Sequence, residues 1–170
     1  MEPIGKMPVP GPILVLGKTA MAACFLFALV KSPLSSTLLY DSATLQAIGI
    51  VLAALGLLLV VLGFFYLGRS VSVGLPEEMT ELKTGGIYRF TRNPMYLGGF
   101  SICIGSCLYT LHLLNILFAA ITIGIHHAII VREEQFLAER FGQAWSDYSR
   151  RVPRYLGRIR VPSAVQEHHV

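Results

Sequence analysis

Two polar clusters interrupt an otherwise apolar chain, and both hold side chains able to do chemistry. The first is Gly85-Gly86-Ile87-Tyr88-Arg89-Phe90-Thr91-Arg92-Asn93-Pro94-Met95-Tyr96-Leu97-Gly98, wedged between two apolar runs; the second is Arg132-Glu133-Glu134, at the far end of the apolar hairpin that follows. Polar groups at a membrane boundary cost insertion energy and usually mark function. Two adjacent carboxylates facing a loop with Lys83, Tyr88, Arg89 and Arg92 make a mixed-charge pocket, which suits a zwitterionic or cationic ligand. A pyrophosphate-bearing nucleotide would meet like charge there, which is costly in a partly desolvated site.

His126 and His127 precede Glu133 and Glu134 by seven residues, so each His shares a helix face with one Glu. Residues so spaced stand about 10 Å apart along the axis, too far to hold one ion without ligands from elsewhere. No metal site is therefore expected; one of the two is expected to line a cavity or hydrogen-bond within the bundle, and the other to face a neighbouring helix. The pair His168-His169 in the tail is too short and isolated to bind metal, and Cys24, Cys103 and Cys107 lie inside apolar runs without the spacing of a disulfide framework or a zinc site. The nucleophile elbow, the phosphate-binding loop, the dinucleotide fingerprint and the His-Glu-x-x-His zinc motif are all missing, so the chemistry is expected at the edge of a bilayer.

The elements that must position these clusters are apolar helices. Of 170 residues, 54% are hydrophobic and 14% charged, with a mean hydropathy of +0.60, well above the usual soluble domain. The apolar runs are Ile13 to Val30, Ala43 to Leu67, Met95 to Thr110 and Leu113 to Val131. Against the roughly 20 helical residues that a bilayer core requires, they predict an all-α polytopic membrane protein with four transmembrane helices. The protein is expected to be one domain, with a two-helix N-terminal part over 1–68, a core over 69–160 and a tail over 161–170. The first run is expected to stay as a span, because no cleavage site and polar mature domain follow it.

Basic residues crowd the Arg69 to Arg92 loop and the stretch after Arg132, including Arg140, Arg150, Arg151, Arg154, Arg158 and Arg160. The positive-inside rule then puts both termini and that loop in the cytoplasm. The net charge of +4 is mostly this topology signal, with some affinity for anionic lipid heads, and no nucleic-acid partner is expected. Oligomeric state has no sequence signal.

Gly49, Gly56 and Gly63 recur every seven residues and predict a close helix contact on one stripe. The 68–91 segment reads as a long binding loop. Asn93 followed by Pro94 fits an N-cap and first-turn proline, whose helix would direct an anion-attracting end at that loop. The small residues Gly98, Gly99, Ser101, Gly105 and Ser106 predict that helices three and four close tightly on one another as an antiparallel hairpin. Beyond Arg132, Phe136, Leu137, Phe141, Ala144, Trp145 and Tyr148 follow a helical period, which predicts an amphipathic interfacial helix that either anchors through Phe141, Trp145 and its arginines or touches the ligand directly.

Leu82-Lys83-Thr84-Gly85-Gly86-Ile87-Tyr88, Thr91-Arg92-Asn93-Pro94-Met95-Tyr96-Leu97-Gly98, and Arg132-Glu133-Glu134 through Leu137, Phe141-Gly142, Trp145 and Tyr148 together resemble the isoprenylcysteine carboxyl methyltransferase family and the related phospholipid methyltransferases. The resemblance covers about the last hundred residues. It implies a membrane enzyme that takes S-adenosylmethionine from the cytosol and moves its methyl group to a lipophilic acceptor from the bilayer. It further implies cofactor contacts at Thr80, Glu81, Leu82, Lys83, Tyr88, Asn93, Pro94, Met95, Tyr96 and Glu133, with Arg92 and Glu133 in catalytic positions and His127, Ile129, Arg132 and Glu134 towards the acceptor. The chain departs from the prenylcysteine-specific members in having Asn93 where they have His, and Ile129 where they carry a substrate-facing arginine. Two other readings stand beside this one. The Phe141-Gly142 to Tyr148 stretch resembles sterol-type membrane reductases that use NADPH, and the interfacial residues would also serve a non-catalytic membrane scaffold.

Overall fold

The computed structural model describes residues 9–29, 42–67 and 82–157. Four helices form, α1 (Gly11–Leu29), α2 (Ala43–Leu67), α3 (Pro94–Thr110) and α4 (Leu113–Arg151), with a 3-10 turn at Gly86–Arg89 and no strand among the described residues. Three of them, α1, α2 and α4, are long and apolar enough to cross a membrane. Large side chains such as Leu16, Ile50, Leu57 and Leu117 point outward from these helices, as expected where lipid, not water, is the surrounding solvent. The expected fourth span is shorter: α3 has 17 residues, about 26 Å of helix against a hydrocarbon core of about 30 Å.

The glycine stripe of α2 lies against α3. A Cβ on Gly49 would stand 2.5 Å from the Gly105 carbonyl oxygen, and one on Gly56 would stand 2.6 Å from that of Gly98. This corrects the expectation that the small residues of α3 close on α4. Gly98 and Gly105 meet α2 backbone to backbone, because only glycine facing glycine allows that approach. The α3–α4 connection is nonetheless tight. Leu111 adopts the left-handed conformation (φ 47°) as the C-cap of α3, and His112 caps α4 by accepting from the Leu114 amide at 3.1 Å. Helix α1 packs on the pair through Gly17, which abuts Ile125 and His126, and through Cys24, whose thiol donates to the Cys103 carbonyl at 3.6 Å.

The expected amphipathic stretch spans a kink in α4. At Gly142 the backbone leaves the helical region, with a φ of 49° and a ψ of −118° that suit glycine alone, so α4 is two helical stretches joined there. That bend turns Trp145 and Tyr148 inward. With Val152 they form a buried cluster against Leu82, Leu137 and Phe141. Trp145 is 7% exposed, so packing in this cluster replaces the anchoring role expected for it.

Candidate functional site

The Thr91–Asn93 turn, the middle of α4 and the Val152–Leu156 segment converge at one end of the bundle. At their meeting point sits Glu134, 8% exposed. Two N–H groups of Arg154 donate to its Oε2, Nε at 3.0 Å and NH2 at 2.8 Å. Arg92 approaches the same oxygen at 3.5 Å, and Asn93 Nδ2 donates to Oε1 at 3.1 Å. Removing one partner of this buried carboxylate would strand the others.

The backbone closes the same knot. The Arg92 amide donates to the Pro153 carbonyl at 3.0 Å. The Thr91 hydroxyl and Asn93 Nδ2 both donate to the Arg154 carbonyl, at 3.0 and 3.2 Å. Chain return is dictated locally: Pro153 cannot continue the helix, and the residue before a proline is driven out of the helical region, as the extended φ of −113° at Val152 records.

Asn93 occupies the N-cap position of α3, but its side chain makes no cap hydrogen bond. The amide expected to cap the helix is committed to Glu134 and Arg154, which leaves the first-turn N–H groups of α3 without a side-chain cap. Pro94 follows, buried, at the first helical position. Arg92 stacks over the Trp145 ring at 5.4 Å, and its Nε is buried without a partner among the described residues. Burial draws the Arg92 guanidinium below its usual pKa while Glu134 opposes the shift. The more exposed Arg154 moves upward through its hydrogen bonds to the same carboxylate.

Glu133, next in sequence to the knot, lies outside it. It accepts from the Tyr96 hydroxyl at 3.0 Å. The Tyr96 ring lies 6.0 Å from that of His126, and His126 pairs through Nδ1 with the Thr122 carbonyl at 2.8 Å. Tyr88 is buried; its carbonyl accepts from the Tyr148 hydroxyl at 2.8 Å, and burial pushes its own phenol up to about 12. Gly86, at φ 57°, brings this turn against the Tyr66 ring of α2, where a side chain would collide.

Of the residues expected at a site, Leu82, Tyr88, Arg92, Asn93, Pro94, Tyr96, Glu133 and Glu134 gather at this end of the bundle, with Lys83 half-buried nearby. Met95 packs against Gly63 of α2. Thr80 and Glu81 lie outside the described residues. Ile129 is 3% exposed and turned into the bundle; Arg132 is exposed, and His127 faces outward, bonded through Nδ1 to the Tyr155 hydroxyl at 2.8 Å. Sequence reasoning missed Arg154 as a partner of Glu134 and did not single out Tyr155. The Val152-Pro153 stop just before them was the signal that the chain turns back there. No group of three or more His, Cys, Asp or Glu residues placed to hold a metal ion occurs among the described residues.

Three helices long and apolar enough to cross a membrane, with the buried Glu134 cluster at one end of the bundle, define a helical membrane protein. Residues 44–144, more than half of the chain, match the phospholipid methyltransferase family, and the chain belongs to it. No curated protein and no solved structure matches the chain. The matched range holds Tyr88 through Glu134 and ends before Arg154 and Tyr155.

Proposed function

We propose that this membrane methyltransferase-family protein uses S-adenosylmethionine, bound from the cytosolic side, to methylate a lipophilic acceptor that reaches the site from the bilayer. The observation that carries this reading is the division of labour between adjacent glutamates: Glu134 is closed off by Arg92, Asn93 and Arg154, while Glu133 accepts from Tyr96. Glu133 is thereby held in one orientation with capacity left for a cationic group. The cofactor's ammonium suits that carboxylate. Its carboxylate suits the uncapped first turn of α3 and the unpartnered Nε of Arg92.

The bound cofactor would supply an electrophilic methyl group on a sulfonium, which an acceptor's lone pair displaces directly. The protein therefore has to hold the two reactants in line and keep water out. Tyr88, Trp145 and Tyr148 are buried beside the Glu134 cluster and keep that side of the site dry. Both arginines of the knot are engaged by Glu134, and the position at which prenylcysteine-specific members carry arginine is the buried Ile129. A carboxylate acceptor lacks an obvious counter-charge there. The acceptor we favour is a lipid with an amine head, which must lose a proton before attack.

Isothermal titration of the purified protein with S-adenosylhomocysteine, with NADPH in parallel, tests the reading. Saturable binding of the first alone is the expected result. Binding of NADPH alone would replace the proposal with a reductase, and silence from both would leave a scaffold.

A further inference from the structure

On the lipid side of the knot, a polar pair sits where the surrounding sequence is apolar. His127 lies within the apolar run of α4, near its end, and its side chain faces outward. Its Nδ1 is 2.8 Å from the hydroxyl of Tyr155. Tyr155 comes from the returning segment after Pro153, and its ring stands edge-on to Phe100 of α3 at 5.9 Å. The ring therefore bridges α3 and α4 across the seam between them, beside the half of the molecule that holds Tyr96 and Glu133.

The pair is not needed to hold the returning segment. That segment is already fixed one and two residues earlier by the Arg92 amide on Pro153, by Thr91 and Asn93 on the Arg154 carbonyl, and by Arg154 on Glu134. An outward-facing imidazole in an apolar span is costly unless it has a use. With Nδ1 taken by Tyr155, the second ring nitrogen remains to meet a ligand. Space is available beside it, since a Cβ on Gly124, one turn back on α4, would meet nothing within 4 Å.

We propose that Tyr155 and His127 form the entry station for the acceptor's polar head at the α3–α4 seam. Tyr155 orients the imidazole, and the imidazole hydrogen-bonds the head as it passes from the bilayer towards Glu133. The inference rests on the methyltransferase reading above, in which the resemblance already turns His127 towards the acceptor, and adds to it Tyr155, beyond the residues that match the family, as the residue that orients the imidazole at the seam.

The test uses the full chain in mixed micelles with phosphatidylethanolamine as acceptor and label-bearing S-adenosylmethionine as donor. Tyr155→Phe deletes the hydroxyl and keeps the ring on Phe100. His127→Asn keeps a group able to bond Tyr155 but removes the second ring nitrogen. Both are expected to raise the KM for phosphatidylethanolamine roughly three- to tenfold, the span of one hydrogen bond, with S-adenosylhomocysteine affinity and melting unchanged. An unchanged acceptor KM in both variants overturns the inference, as does a loss confined to melting or to S-adenosylhomocysteine affinity, which would make the pair a structural pin. If the unaltered chain neither binds S-adenosylhomocysteine nor transfers label, the methyltransferase reading itself falls and the inference with it.

Discussion

Each end of the α3–α4 hairpin is closed by a buried polar knot, and the two knots are made of different materials. At the connection, Asn115 donates to the hydroxyls of Ser106 and Thr110, both at 2.9 Å. The Ser106 hydroxyl in turn donates to the Cys24 carbonyl at 2.6 Å, and Thr110 donates to the Ser106 carbonyl at 2.8 Å. All of these groups are neutral, and all but the Cys24 carbonyl come from within ten residues of the turn. At the other end, Glu134 gathers Arg92 and Asn93 from the turn before α3 and Arg154 from the returning segment, with charge on both sides. A neutral knot made of neighbours shapes a turn. A charged knot made of strangers decides whether a loop and a returning segment stand over the site at all.

The largest expected effect of breaking this contrast is at Glu134. Replacing it by alanine strands Arg92 and Arg154 in a pocket where Arg92's side chain is only 12% exposed. Loss of one partner of a buried ionic group costs about 3–5 kcal/mol. Unfolding in mixed micelles should show a loss of that order, accompanied by loss of S-adenosylhomocysteine binding, because the turn that carries Asn93 and leads into Tyr96 of α3 is released. A loss under about 1 kcal/mol would mean that the backbone bonds to Pro153 and Arg154 hold the turn without the carboxylate.

Glu133 supplies the control next door. Glu133→Gln removes the same charge from the adjacent residue but leaves the knot complete, and an amide oxygen still accepts from Tyr96. Stability should hold, while S-adenosylhomocysteine affinity falls about tenfold or more, as for loss of one charge-assisted hydrogen bond. Equal losses of stability in the two variants would erase the distinction between a structural and a ligand-binding glutamate.

The contrast also explains what the sequence made legible. The α2 glycine stripe, the α3 start at Pro94 and the return of Glu133 and Glu134 to the side of Tyr88, Arg92 and Asn93 follow from periodicity and from the hairpin's geometry. The partner of the α3 glycines did not: a row of small residues says that a backbone comes close, and is silent on whether α2 or α4 supplies it. Trp145 was read as an anchor because its helical period continues through Gly142, and nothing in that period marks the bend that turns it inward. Arg154 looked like one more member of a basic tail. Its pairing with Glu134 exists only because α4 ends at Val152 and the chain doubles back, a tertiary consequence that charge counting does not contain.

The smallest effect is expected at the neutral knot. Asn115→Leu removes two hydrogen bonds, yet Ser106 keeps the Cys24 carbonyl and Thr110 keeps the Ser106 carbonyl, so neither hydroxyl is orphaned. The substitution also deletes Asn115 Oδ1, a buried acceptor without a partner among the described residues. Side-chain hydrogen bonds between helices in a membrane are worth about 0.6 kcal/mol on average, and part of that is offset by the vanished orphan. The net change should stay within about 1 kcal/mol, with S-adenosylhomocysteine binding untouched, because the turn lies at the opposite end of α3 from the site. A loss above about 2 kcal/mol would put the two knots on an equal footing, and the hairpin would then be held as firmly at its neutral turn as at the charged end that carries the site.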